Sequence, residues 1–178
     1  MTRARDDEFM QFVRDRSLAL RRTAYLLCGS WADGDDLVQE SLAKVYVAWP
    51  RISSSRAVES YTRTTMLRTY LNSRRKWGRE ITLAVVPERG VDDQDAALTV
   101  TLSALLRELP PRQRAALVLR FYQDLSVPQI AEELGIPEGT VKSQLSRGLA
   151  AMRTRLDDPD HPDDDTHDDD AQDKEVTS

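Results

Sequence analysis

The chain has 178 residues, is 40% hydrophobic, carries a formal net charge of −5 and contains one cysteine, Cys28. Such a length and apolar content suit two small cores better than one large one; a lone cysteine excludes internal disulfides and thiolate zinc clusters, and no apolar run approaches the roughly 20 residues of a membrane span. The acidic balance does not exclude a nucleic-acid partner, because residues 157–178 hold eleven acids against one lysine and leave the remainder at +5.

The opening MTRARDDEFM lacks the apolar segment of a secretory signal, so a cytoplasmic location is expected. A first helix is predicted over about residues 5–28, with Phe9, Phe12, Val13, Leu20, Ala24 and Leu27 on one face and Gly29 as its stop. Asp33 or Asp35 can cap a second, whose stripe of Leu37, Val38, Leu42, Val45, Tyr46 and Trp49 ends at Pro50. Leu37 and Val38 should face inward, leaving Asp36, Gln39 and Glu40 as an acidic, hydrogen-bonding edge. Ser53, Ser54 and Ser55 mark a turn, and a third helix covers about residues 57–77.

That third helix lies in a strongly basic segment: residues 51–79 carry eight basic side chains against Glu59 alone. Arg63, Arg68, Arg74, Arg75 and Lys76 suit a nucleic-acid backbone, and Tyr61, Tyr70 and Trp77 suit stacking on unpaired bases. Helical phase sets Tyr61, Thr65 and Arg68 on one side and Tyr70, Arg74 and Trp77 on another, so at least one tyrosine should be buried.

Residues 78–95 show no sustained period and contain Pro87, Gly90 and DDQD, the composition of a linker. Leu98, Leu102, Leu105 and Leu109 then form a stripe, broken by Pro110 and Pro111, and Pro111 suits the first turn of a helix reaching about residue 123. Arg112, Arg114 and Arg120 are expected to be solvated or phosphate-facing.

Residues 125–155 spell a helix-turn-helix. Ser126 and Gln129 make a capping box, Ile130, Ala131 and Leu134 give a short apolar stripe, Gly135 stops the helix, and Ile136 and Pro137 make the turn. Val141, Leu145, Leu149 and Met152 recur at helical spacing in the helix that follows. Its other face presents Lys142, Ser143, Gln144, Ser146 and Arg147, donor-rich types that reach phosphates and base edges from the major groove. Beyond residue 157 the composition is that of a disordered acidic tail, and its His161 and His167 read as solvated rather than metal-binding.

No strand pattern survives, so the fold class is all-α: a three-helix bundle and a four-helix domain with the helix-turn-helix, joined by a flexible linker. The expected divisions are 5–77, linker 78–95, 96–156 and tail 157–178. The ordered segments offer no glycine-rich phosphate loop, Ser/His/Asp set or carboxylate cluster, so no enzyme activity, cofactor, metal or small-molecule substrate is expected.

Four segments in order, FVRDRSLALRRTAYLLCG, DGDDLVQESLAKVYVAWPRI, YTRTTMLRTYLNSRRKW and ALLRELPPRQRAALVLRFYQDLSVPQIAEELGIPEGTVKSQLSRGLAAMR, resemble the extracytoplasmic-function (ECF) sigma factors of the sigma-70 family, especially the SigE-like actinobacterial group. The resemblance implies a subunit that lends promoter specificity to core RNA polymerase. It implies that Asp36, Leu37, Val38, Gln39 and Glu40 dock on the clamp helices of the largest catalytic subunit, with the flap of the second subunit as a further contact. It implies that the basic helix opens and holds the minus-10 element, and that Lys142, Ser143, Gln144, Ser146 and Arg147 meet the minus-35 element. Arg68 stands where many members carry an asparagine, which puts base capture at minus-10 in doubt. The resemblance leaves open an anti-sigma protein as another partner. The rival readings are a helix-turn-helix regulator that binds its operator without polymerase, and a small recombinase using Tyr61 or Tyr70 as nucleophile.

Overall fold

A computed structural model describes residues 2–52, 55–72 and 93–157. The expectations for Arg74, Arg75, Lys76 and Trp77, for residues 78–92 of the linker and for the tail with His161 and His167 therefore lie outside the described residues. The described residues are helical throughout their regular elements.

The first helix, α1 (Thr2–Cys28), ends where Gly29 takes φ +75° and bonds back to the Tyr25 carbonyl at 2.7 Å. Any side chain there would also strike Arg107, whose aliphatic carbons lie 2.2 Å from the place of a Cβ. Helix α2 (Trp31–Ala48) is capped by Ser30, whose Oγ accepts from the Asp33 backbone N–H at 3.4 Å. The sequence expectation of Asp33 or Asp35 as the cap is corrected: Asp33 sits in the first turn, and the Asp35 carboxylate is taken by Arg21 at 2.6 and 3.0 Å. A 3₁₀ turn at Trp49–Arg51 follows, and α3 (Ser55–Asn72) closes a three-helix bundle.

Aromatic rings fasten the start of the bundle. Phe9 meets Tyr46 and Trp49 edge-on at 5.0 and 5.1 Å, and Tyr25 stacks on Trp31 at 4.3 Å. Behind them Leu26, Leu27, Leu37, Val45, Met66 and Leu67 are fully buried.

Helix α4 (Asp93–Arg107) starts within the stretch expected to be linker, and α5 (Pro111–Leu117) begins at the proline that suits a first helical turn. A π turn over Val118–Tyr122 then loosens the chain and leaves Phe121 and Tyr122 exposed. Helix α6 (Val127–Leu134) carries both hydrogen bonds of the Ser126/Gln129 capping box and ends on Gly135 in the left-handed conformation. Helix α7 (Glu138–Leu156) packs on α5 and α6 through buried Val141 and Gly148.

The two helical groups meet. The C-terminal turns of α1 pack against α4 and α5, so one apolar cluster runs from Leu27 and Leu37 to Leu106, Leu117, Ile130 and Val141. Arg114 is central to this junction and is not solvated, contrary to the sequence expectation. It is buried, with Nη1 donating to the Leu27 carbonyl at 2.6 Å and Nη2 to the carbonyls of Arg107 and Leu109. Carbonyls at the end of a helix lack intrahelical donors, and a guanidinium can serve several at once. Arg120 is likewise occupied, donating to Leu125 O at 3.0 Å, while Arg112 is exposed.

Candidate nucleic-acid interface

The reading face of α7 follows from its packing. Val141 and Gly148 hold one side against α5, with Leu117 Cδ1 lying 2.9 Å from where a Cβ on Gly148 would sit. The opposite side is thereby turned outward: Lys142, Ser143, Ser146 and Arg147 are exposed and Gln144 is half-buried. Ser143 Oγ donates back to the Gly139 carbonyl at 3.0 Å, so the chain gives its hydroxyl a local partner in the absence of DNA. A capped, glycine-stopped lead helix and a rigid second helix with an outward donor face make the geometry that enters a major groove.

On α3 the helical phase divides the candidates. Tyr61 is 42% exposed and Arg68 is exposed, so both remain available on the bundle surface. Tyr70 is only 4% exposed and packs in the core beside Cys28 and Leu67, so its assignment as a base-stacking residue is corrected. Burial pushes the Tyr70 hydroxyl up to about 12, and likewise the Cys28 thiol up to about 12. A thiol held protonated in this way is a packing group rather than a reactive one. Arg63 is half-buried and paired with Glu133 at 3.0 Å. Sequence reasoning missed Ser60 and Thr64, which donate to the same carboxylate. Their spacing with Arg63 places all three on one helix face, but nothing local signals a partner 70 residues away.

The edge of α2 is built differently. Asp36 and Gln39 are exposed, and among the described residues Asp36 has no ion-pair partner. Glu40 is paired with Lys44 at 2.8 Å, and Lys44 also donates to Thr69 Oγ1 at 2.9 Å, which ties the edge to α3. Leu37 and Val38 lie in the core, so their assignment as direct contacts is corrected: they fix the helix beneath the polar edge and present almost no surface of their own. Between α1, α4, the π turn and α7 lies an apolar hollow of about 240 Å³, lined by Leu26, Leu102, Leu106, Phe121 and Met152. No group of three or more metal-ligating side chains and no helix apolar and long enough to cross a membrane occurs among the described residues.

Comparison with known proteins matches this arrangement in order along the chain. Residues 12–80 match the model of sigma-70 region 2, and residues 99–152 match that of sigma-70 region 4. The RNA polymerase sigma-E factor of Streptomyces coelicolor is 36% identical over 156 residues, covering 84% of this chain and 86% of the relative. The ECF RNA polymerase sigma factor SigE of Mycolicibacterium smegmatis is 31% identical, covering 82% of this chain and 60% of the relative. Among solved structures, the sigma factor RpoE in complex with the anti-sigma factor NepR from Bartonella quintana superposes with a TM-score of 0.65 at 26% identity, over 84% of this chain and 96% of that one. The first helical group, ending in α3, is thus region 2 and the helix-turn-helix group is region 4, and a chain carrying both in this order at such identity to sigma-E factors belongs to the ECF group of the sigma-70 family: it is an RNA polymerase sigma factor.

Proposed function

We propose that this sigma factor docks on the clamp helices of the polymerase's largest catalytic subunit through the edge of α2 that holds Asp36, Gln39 and Glu40, and that α7 reads the minus-35 element with Lys142, Ser143, Ser146 and Arg147. Region 2, over residues 5–77, opens and holds the minus-10 element, with Tyr61 stacking on an unpaired base and Arg63 and Arg68 on the backbone. Arg74, Arg75, Lys76 and Trp77 share that role with them by residue type. The exposed Phe121 beside the apolar hollow is the part of region 4, residues 96–156, assigned to the flap of the second subunit. Residues 78–95 bridge the two modules, and the acidic tail competes with DNA for the basic helix.

The observation that carries this reading is the outward donor face of α7 on a chain that also presents an exposed Asp36 on α2: one end suits the groove of DNA, the other a basic partner helix. The chain acts in the cytoplasm as a non-catalytic subunit, the chemistry remaining with the polymerase. An anti-sigma protein, such as the one bound to the RpoE neighbour, would contest the α2 edge.

A mobility-shift assay on promoter duplex separates this from the self-sufficient regulator. Retardation should require the chain and core polymerase together. Sequence-specific retardation by the chain alone would favour the regulator.

A further inference from the structure

Glu133 lies on α6, the lead helix of the helix-turn-helix, yet it is only 7% exposed. Three donors of α3 converge on its carboxylate: Ser60 Oγ at 3.0 Å on Oε1, Arg63 Nε at 3.0 Å on the same oxygen, and Thr64 Oγ1 on Oε2. A guanidinium flanked by two hydroxyls on one helix face is a donor set that also binds a nucleic-acid phosphate. Here region 4 supplies the anion and region 2 supplies the donors, on the helix assigned to single-stranded DNA. Gln123 Nε2 adds a second polar tie across the same seam, donating to Thr23 Oγ1 at 2.7 Å.

Distance excludes this contact from the complex that reads both promoter boxes. Helix α6 rests on α3, and α7 rests on α6. With helix packings of 8–10 Å each, the α7 axis lies within about 20 Å of α3. Elements centred at minus-35 and minus-10 are roughly 25 base pairs apart, about 85 Å along a duplex rising about 3.4 Å per pair. The two regions must separate, and the Glu133 contact must break with them.

Resting on the sigma-factor reading above, we infer that Ser60, Arg63 and Thr64 form a phosphate-binding patch on α3 that Glu133 fills in the free chain, so that the helix-turn-helix masks the minus-10 helix until its two regions are drawn apart. The carboxylate holds the place of a backbone phosphate. Its removal frees the arginine for DNA without any change in the polymerase-facing edge of α2.

The test titrates the free full-length chain with a labelled oligo(dT) over a range of salt. Glu133→Ala should steepen the plot of log affinity against log salt by about 0.7 and tighten binding about fivefold near 0.1 M salt, the increment for one added phosphate contact on a single strand. Glu132→Ala changes the net charge equally at an exposed neighbouring position and should leave the slope at the wild-type value. Adding Arg63→Ala to Glu133→Ala should return the slope to wild type. Equal effects of the two glutamate variants, or a gain that survives Arg63→Ala, would overturn the proposal. Glu133→Gln keeps the side chain's shape and so guards against misfolding; it should shift the slope in the same direction, and no shift with wild-type helicity also overturns the proposal. Run-off transcription with core polymerase is scored separately: its failure with the wild-type chain would sink the sigma-factor reading, whereas an unchanged salt slope alongside normal transcription would sink only the patch.

Discussion

Replacing Arg114 with methionine tests whether the junction between the two regions depends on one buried cation. Its Nη1 donates to the Leu27 carbonyl at 2.6 Å and its Nη2 to the carbonyls of Arg107 and Leu109, so it closes the end of α1 and the turn after α4 together. Methionine keeps much of the bulk but strands three acceptors, at roughly 1–3 kcal/mol for each buried group left unbonded, a gross cost of about 3–9 kcal/mol. Against this stands relief from burying the charge: desolvation holds the Arg114 pKa below its ordinary value, and its Nε has no partner among the described residues. Releasing such a buried cation returns several kcal/mol, which leaves a net loss of about 3 kcal/mol. At a urea dependence of about 1.5 kcal/mol per molar, the unfolding midpoint followed by circular dichroism should fall by about 2 M. A midpoint within about 0.5 M of wild type would show instead that water or a rearranged turn satisfies the carbonyls as well as the guanidinium does. Arg114→Lys should recover only part of the loss, because one ammonium cannot span three diverging acceptors.

Other expectations follow from the exposed surfaces and the buried acids. Arg147→Ala should lower initiation at the cognate promoter by roughly 5- to 150-fold at limiting polymerase, the equivalent of about 1–3 kcal/mol, while binding to core polymerase by co-elution stays unchanged; loss of core binding would contradict the division of labour. Asp36→Arg should do the reverse, abolishing co-elution while the urea midpoint stays near wild type, because its side chain is exposed. Alkaline stability follows from Cys28 and Tyr70, which burial raises from 9.0 and 10.0 to about 12 each. Between those values the folded chain keeps protons that the unfolded chain releases, so stability falls as pH rises above about 9, by up to about 1.4 kcal/mol per pH unit for each group, and is unaffected by them below. Urea titrations from about pH 8 to about pH 11 should show this decline starting later in Cys28→Ala; an identical profile would refute the assignment to the thiol.

Much of the fold was legible because it is written in short-range signals. The capping box at Ser126, the stop at Gly135, the Pro111 helix start and the Val141 stripe depend on spacings of a few residues, and each stands where those spacings put it. The α7 donor face could be read for the same reason: burial of one side of a helix dictates exposure of the other. What escaped was set by distant groups. Ser30 caps α2 because the helix starts at Trp31, ahead of both aspartates, and Arg114 is buried because the end of α1 brings it bare carbonyls. Tyr61 and Tyr70 are nine residues apart on one helix, and only the bundle decides that the second is core. Nothing in the sequence around Glu133 marks it, because its partners come together only once α6 lies on α3.

To make core polymerase start at a specific promoter, this chain must grip two elements and open the DNA at the minus-10 element. Permanganate reactivity of thymines at the minus-10 element tests it most directly, with the purified chain, core polymerase and cognate promoter combined and then each omitted. Reactive, unpaired thymines and a run-off transcript are expected only with all three present, and Arg147→Ala at limiting polymerase should lower both in parallel. Unreactive thymines in the complete mixture, or the same reactivity and transcript without the chain, would contradict it.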